Sequence, residues 1–239
     1  MKVRTALGHQ TTPTRVILAA AAVLLASPAL AQEGSDNWSL AFGGATDYRS
    51  KGTSKTQGHP YAYGEVEWHT SDEQFYVAAA AATVQMSFGA NTEMDVTAGY
   101  RPEIAGFSLD LNAMYRWYPD ANSGADDEYW EFTADVSRSI GPVSGRLRVQ
   151  YSPDNAGGGE DFTWVEGRVG YKINPKVKVT AAYGQREQTN ARDYDAWNFG
   201  GTWKFADHAE LDLRYYDTSA SEHGKQYEDA VVAAVNLSF

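Results

Sequence analysis

The 239-residue sequence contains no cysteine, so neither disulfides nor thiolate-bound metals stabilise the fold. Basic residues are also in the minority, because 20 lysines and arginines stand against 31 aspartates and glutamates, for a net charge of −11. Such an acidic chain is a poor candidate for binding the phosphate backbone of nucleic acid. We therefore expect no nucleic-acid partner, and a fold that relies on its own core or on a membrane.

Long apolar runs are absent except for one, of eleven residues, at 16–26. Three basic residues and no acid precede it, and Ala29-Leu30-Ala31 follows with small residues in its first and third positions. A membrane anchor would need about 20 apolar residues, so the run favours a secretory signal. We predict a signal peptide at 1–31 that is cleaved after Ala31, which changes the net charge from −11 to −14.

The remaining chain, 32–239, is predicted to be one domain made of strands in which apolar and polar residues alternate. Leu211 and Leu213, for example, share one face of a strand, while Asp212 and Arg214 share the other. Alternation with period two is typical of a sheet with one apolar and one polar face. The twelve candidate strands are 38–48, 61–70, 74–86, 92–101, 107–118, 128–139, 143–152, 162–173, 176–186, 194–205, 208–217 and 227–239.

The connections between these strands alternate in length. Short turns such as 141–142 and 174–175 are followed by longer polar loops such as 49–60 and 153–161. Short turns on one side and long loops on the other are typical of outer-membrane barrels, whose short turns are periplasmic. The sequence thus predicts an all-β fold, an antiparallel up-and-down transmembrane β-barrel of about twelve strands.

Aromatic residues make up 13% of the sequence and cluster near the predicted strand ends. Tyrosine and tryptophan favour membrane interfaces, which predicts aromatic girdles, although ordinary β-propensity also enriches aromatics in strands. The chain also ends on an aromatic residue after an alternating strand, and this resembles the terminal strand that the barrel-assembly machinery recognises. The predicted girdle residues are Trp38, Trp68, Tyr100, Trp117, Tyr118, Tyr129, Trp130, Tyr151, Tyr171, Tyr194, Trp203 and Phe239.

Three short motifs resemble the TorF family of bacterial putative porins. The segment 46–54 is similar to the family's T-D-Y-x-[FW]-R-G-x-S motif, with Ser50 and Lys51 in place of the usual aromatic residue and arginine. Segment 115–119 resembles its Y-x-x-Y-P strand end, and 141–154 resembles its G-P-V-S…Y-S-P-D stretch. The resemblance implies an outer-membrane barrel of a Gram-negative bacterium and suggests a pore. It supplies no catalytic residue and no substrate.

The polar faces of the strands are the candidate functional surface, because lipid on the apolar face leaves them to line the lumen. Charges of both signs can sort solutes in a wet channel, or they can pair and hold the barrel wall together. Both interpretations stay open at this stage, and twelve strands allow either a narrow channel or a plugged lumen. The candidate lumen-lining residues are Arg116, Glu131, Asp135, Arg146, Arg148, Glu166, Arg168, Asp212 and Arg214.

Catalytic or cofactor chemistry is not predicted. The mature chain has four scattered histidines, at positions 59, 69, 208 and 223, and no Gly-x-Ser-x-Gly elbow. We therefore expect no enzyme, no cofactor and no metal site. The leading hypothesis is a porin-like channel for small polar or charged solutes, with outer-membrane lipid and the assembly machinery as further partners. The alternative is a non-conducting barrel with a structural or surface-interaction role, and the loop lengths predict neither a large adhesin nor a pore plugged by a loop.

Overall fold

A computed structural model describes residues 37–239, so the predicted signal peptide at 1–31 lies outside the described residues. The described chain forms a closed barrel of twelve antiparallel strands. The barrel closes where the first strand pairs with the last, with Phe42 opposite Leu237. This confirms the predicted all-β barrel. In the part of the chain that the structure describes, no helix is long and apolar enough to cross a membrane.

The observed strands agree with the predicted ones to within three residues at each end. The largest corrections, of three residues each, are at 38–48, where the strand ends at Ala45, at 74–86, where it ends at Thr83, and at 227–239, where a 3-10 turn delays the start to Ala230. Short strands β2, β3 and β7 were not predicted. The fifteen strands are β1 (Trp38–Ala45), β2 (Arg49–Ser50), β3 (Thr53–Ser54), β4 (Tyr61–His69), β5 (Phe75–Thr83), β6 (Thr92–Tyr100), β7 (Glu103–Ile104), β8 (Phe107–Trp117), β9 (Glu128–Ile140), β10 (Val143–Ser152), β11 (Phe162–Asn174), β12 (Val177–Gln188), β13 (Tyr194–Ala206), β14 (Ala209–Thr218) and β15 (Ala230–Ser238).

Alternation along the strands separates an apolar outer face from a polar interior. Leu147 and Leu213 are exposed on the outside, whereas Arg116 and Arg214 are buried inside. A closed barrel forces this result, because successive side chains of a strand point to opposite faces. An exposed apolar band of this kind suits hydrocarbon and not water.

The predicted aromatic girdle is wrong at three positions. Tyr118, Tyr129 and Tyr194 are almost fully buried and pack inside one end of the barrel. Trp130 and Trp203 are exposed on the outside, as expected of girdle residues. The error arises because proximity to a strand end does not say which face a side chain occupies.

The barrel has a short-turn end, with both ends of the described chain and turns such as 141–142, and a long-loop end, with loops such as 153–161. The loop between β1 and β4 departs from this plan. It carries β2 and β3, its side chains contact strands β6 and β9, and the backbone carbonyl of Lys51 accepts a hydrogen bond from Tyr194 on β13. The loop therefore folds inward across the long-loop end, which corrects the expectation that no loop plugs the barrel.

Candidate functional site

The inward hairpin, residues 47–58, is built on two tight turns. Lys51 and Gly52 both have positive φ, 51° and 84°, and join β2 to β3. Gln57 and Gly58 repeat this with φ of 55° and 77°. Two consecutive positive φ values are typical of type I′ turns, which match the twist of paired strands. A side chain at Gly52 would collide with Ala196 on β13, so the tip of the hairpin packs directly against the barrel wall.

Asp47 holds the hairpin together. Its side chain is buried, and its Oδ1 accepts hydrogen bonds from Ser54 Oγ at 2.5 Å and Thr56 Oγ1 at 2.8 Å. Its Oδ2 accepts one from Arg49 Nε at 2.5 Å. A buried carboxylate is stable only when it is hydrogen-bonded and paired, and here the hairpin itself supplies every partner. This explains an aspartate in the 46–54 motif.

Two lysines attach the hairpin to distant strands. Lys51 Nζ lies 2.6 Å from Glu131 Oε2 on β9, and Lys55 pairs with Glu93 on β6. Tyr48 also donates to Glu93, at 2.9 Å. Since β6 and β9 are separated by β8 in the barrel, the hairpin spans part of the lumen and narrows it at the long-loop end.

The ammonium group of Lys51 is buried in this contact. Burial lowers the pKa of Lys51 from 10.5 to about 8, and the positive charges of Arg186 and Arg116 act in the same direction. Glu131 opposes the shift by pairing with the charged amine. The lysine is therefore charged at pH 7, and burial of this charge makes docking of the hairpin less favourable.

Nearer the middle of the barrel, three arginines form a belt with two acids. Arg146 Nη2 lies 2.5 Å from Glu166 Oε1, which also accepts from Arg168 at 3.2 Å. Arg148 donates two hydrogen bonds to Asp135, at 2.8 and 2.5 Å. The arginine side chains are still 25–34% exposed, so the belt remains accessible from the lumen.

Arg116 and Arg214 are more deeply buried than the arginines of the belt. Arg116 donates bidentate hydrogen bonds to the Asp95 carboxylate, at 2.7 and 2.6 Å. Arg214 bonds Asp212 and, at 2.9 Å, Asn198 Oδ1. Ion pairs of this kind, within one strand or between adjacent strands, stabilise the barrel wall.

The structure places all nine predicted residues on the interior side of the barrel, but it does not bring them into one cluster. Arg116 and Glu131 lie at the hairpin, Asp212 and Arg214 lie on β14, and the other five form the belt. Sequence reasoning missed the hairpin contacts of Asp47, Lys51, Lys55 and Glu93. The Lys-Gly and Gln-Gly turn pairs within a conspicuous motif were the available signal.

The interior charges divide into two walls. Four strands separate β4 from β10 in one direction around the barrel and six in the other, so these two strands lie across the lumen from each other. Interior side chains on the β4–β8 side are mainly acidic, with Arg116 as an exception, and those on the β10–β12 side are mainly basic. The acidic wall comprises Glu65, Glu67, Asp95 and Asp110, and the basic wall comprises Arg146, Arg148, Arg168 and Lys178.

Cavities lie on both sides of the hairpin. Two at the short-turn end have volumes of 830 and 570 Å³ and share Arg146 and Ser137 in their linings. A third, of 400 Å³, lies at the long-loop end among the hairpin and the loops. Hairpin residues such as Lys51 and Gln57 line the third cavity and neither of the other two, and in the chain from 37 to 239 these two regions have no lining residue in common.

Several solved structures of outer-membrane proteins have a similar fold. The KdgM porin matches with a TM-score of 0.59 and 11% identity, over 84% of this chain and 99% of its own. The NanC porin matches with a TM-score of 0.56 and 10% identity, over 84% and 98%. Omp33 from Acinetobacter baumannii matches with 0.52 and 8%, over 85% and 98%. At these identities the likeness shows the fold alone.

Sequence comparison gives the family. No curated protein matches this sequence. The family described as "Bacterial protein of unknown function (Gcw_chp)" matches residues 31–239, and the chain belongs to that family.

Proposed function

We propose that the protein is a channel for passive passage of small polar or charged solutes across the outer membrane of a Gram-negative bacterium. The observation that carries this proposal is the polar lumen, where partly exposed ion-paired side chains line cavities of 570 and 830 Å³. A barrel that serves only as a scaffold has no need for accessible charge inside. The porin fold supports the proposal, and the resemblance to the TorF family stays a prediction.

The nine lumen residues supply selectivity in this proposal. Within the belt, Arg146, Arg148 and Arg168 outnumber their acids, Asp135 and Glu166, by one positive charge. Acids on the facing wall create a transverse field, and charged rings of this kind sort solutes in channels. The same ion pairs also hold neighbouring strands together, so selectivity and wall stability share these side chains.

The inward hairpin regulates entry in this proposal. It lines the cavity at the long-loop end, and its attachment depends on a few polar contacts, chiefly Lys51 with Glu131 and Lys55 with Glu93. Water can replace these polar contacts more readily than it can separate two packed apolar surfaces. We therefore expect low conductance with the hairpin docked and higher conductance after it is released.

Planar-bilayer conductance of the refolded mature protein tests the proposal. The matched variant replaces 49–58 by a short Gly-Ser linker, which removes the hairpin and leaves the twelve barrel strands intact. We expect current from the native protein and a larger conductance from the variant. If the shortened variant is folded but electrically silent, the channel is wrong, and the alternative of a non-conducting structural barrel takes its place.

A further inference from the structure

Arg186 differs from the other interior arginines because it has no acidic partner. Arg116, Arg146, Arg148, Arg168 and Arg214 each pair with a carboxylate, but Arg186 forms no ion pair within the described chain. Its Nε is buried and also has no hydrogen-bond partner among the described atoms. This Nε donor is therefore unsatisfied, and the guanidinium that carries it is always charged.

A second cation lies beside it. The Arg186 guanidinium stacks over the ring of Phe162 at 4.0 Å, and Lys51 Nζ lies 5.0 Å from the centre of the same ring. Glu131 is the acid that Lys51 contacts, and its other oxygen already accepts from Gln150 at 2.5 Å. Two cations, Arg186 and Lys51, therefore lie beside a single acid, Glu131, which leaves one positive charge in excess.

Arg186 and Lys51 both line the 400 Å³ cavity at the long-loop end. This volume lies within the ordinary range of small-molecule sites. The rings of Tyr194 and Tyr227, whose centroids are 5.3 Å apart, supply apolar wall surface. Gln188 contributes an amide to the same cavity. Convergent donors beside aromatic rings are suited to a ligand with an anionic end and an organic body.

We propose that this cavity binds a small organic anion, whose carboxylate pairs with Arg186 and Lys51 while its body packs against the tyrosine rings. The inference deepens the proposed function by naming the solute class, and it rests on that function for its role in transport. A carboxylate here also competes with Glu131 for Lys51, which couples solute binding to the contact that holds the hairpin in place.

Calorimetric titration of the refolded protein in detergent tests the site, with benzoate as the probe and benzamide as its neutral isostere. We expect benzoate to bind and benzamide to bind much more weakly. Arg186→Gln should weaken benzoate binding about tenfold or more, since it removes a charge-assisted hydrogen bond to the carboxylate. Arg186→Lys should restore part of the affinity.

Arg138→Gln is the matched control. Arg138 also stacks on a phenylalanine, Phe107 at 4.8 Å, but it is exposed and lies toward the short-turn end. It should leave benzoate affinity unchanged. Absence of binding to the folded native protein, equal binding of benzamide, or unchanged affinity in Arg186→Gln would each overturn the site. Titration needs no current, so benzoate binding by an electrically silent barrel would reject the channel and keep the site.

Discussion

Arg146 and Arg168 lie directly opposite each other on β10 and β11, and one oxygen of Glu166 lies between them. The sequence indicates the same register, because both residues are eleven positions from Gly157 in the connecting loop. Like charges directly across a strand pair destabilise it unless an acid intervenes. Glu166 is that acid, so the belt keeps its excess of positive charge without breaking the wall.

Neutralising this pair should change ion selectivity. In the double variant Arg146→Gln/Arg168→Gln the belt loses two positive charges and keeps both of its acids, so the reversal potential in a salt gradient should shift toward cations. The charge-preserving variant Arg146→Lys/Arg168→Lys should retain the native value. An unchanged potential in channels that still open would leave these arginines with a purely structural role.

The lipid-facing assignment makes a prediction about stability. Leu213 is 55% exposed on the outer face, so Leu213→Arg should destabilise the barrel in lipid vesicles by about 2–4 kcal/mol if it lies near the bilayer midplane. Urea unfolding measures the change, and Leu213→Met serves as the apolar control. Equal unfolding free energies for the arginine and methionine variants would contradict the assignment.

Asp47 should control release of the hairpin. Asp47→Ala removes the acceptor for Ser54, Thr56 and Arg49, and each unsatisfied buried donor costs about 1–3 kcal/mol. We expect faster trypsin cleavage within 49–55 and a larger mean conductance. Asp217→Ala, outside the hairpin, is the control. Cleavage at the native rate, with the barrel folded, would show that Asp47 does not hold the hairpin.

Docking of the hairpin should also depend on pH through Lys51. Its pKa is about 8 when docked, against 10.5 when free, so the docked state binds fewer protons between these values. Raising the pH through this window therefore favours docking, by at most about 1.4 kcal/mol per pH unit. Neighbouring charges also shift the pKa of Lys51: Glu131 raises it, whereas Arg116 and Arg186 lower it.

Single-channel recordings measure this effect. We expect the native protein to spend more time in its low-conductance state at pH 9.5 than at pH 7. Lys51→Met, which keeps an unbranched side chain of nearly the same length without its charge, should respond weakly to pH. A native channel that opens further as the pH rises would reverse the predicted sign.

Export can be checked directly. The basic residues before 16–26 and the Ala29-Leu30-Ala31 pattern predict cleavage after Ala31. N-terminal sequencing of protein from the outer-membrane fraction should give Gln32-Glu33-Gly34. A mature protein that still begins at Met1 would show that the segment is not removed.

Local patterns in the sequence are enough to predict the strands and the side of the sheet that each of their residues faces. Alternation is a local property with period two, so Leu213 and Arg214 occupy opposite faces whatever surrounds them. The pairing of Arg146 with Arg168 follows in the same way, since an antiparallel hairpin with a known centre has one register. These features require only residues that are close together in the chain.

The contents of the barrel depend on long-range contacts that only the closed fold creates. Lys51 meets Glu131 across 80 positions of sequence, and no local pattern encodes such a contact. The absence of an acidic partner for Arg186 among the described residues is likewise a property of the closed lumen. There Arg186 and Lys51, which are far apart in the sequence, both contact the ring of Phe162. Closure of the barrel brings distant strands within reach of one loop, and the energy of those long-range polar contacts places the hairpin inside.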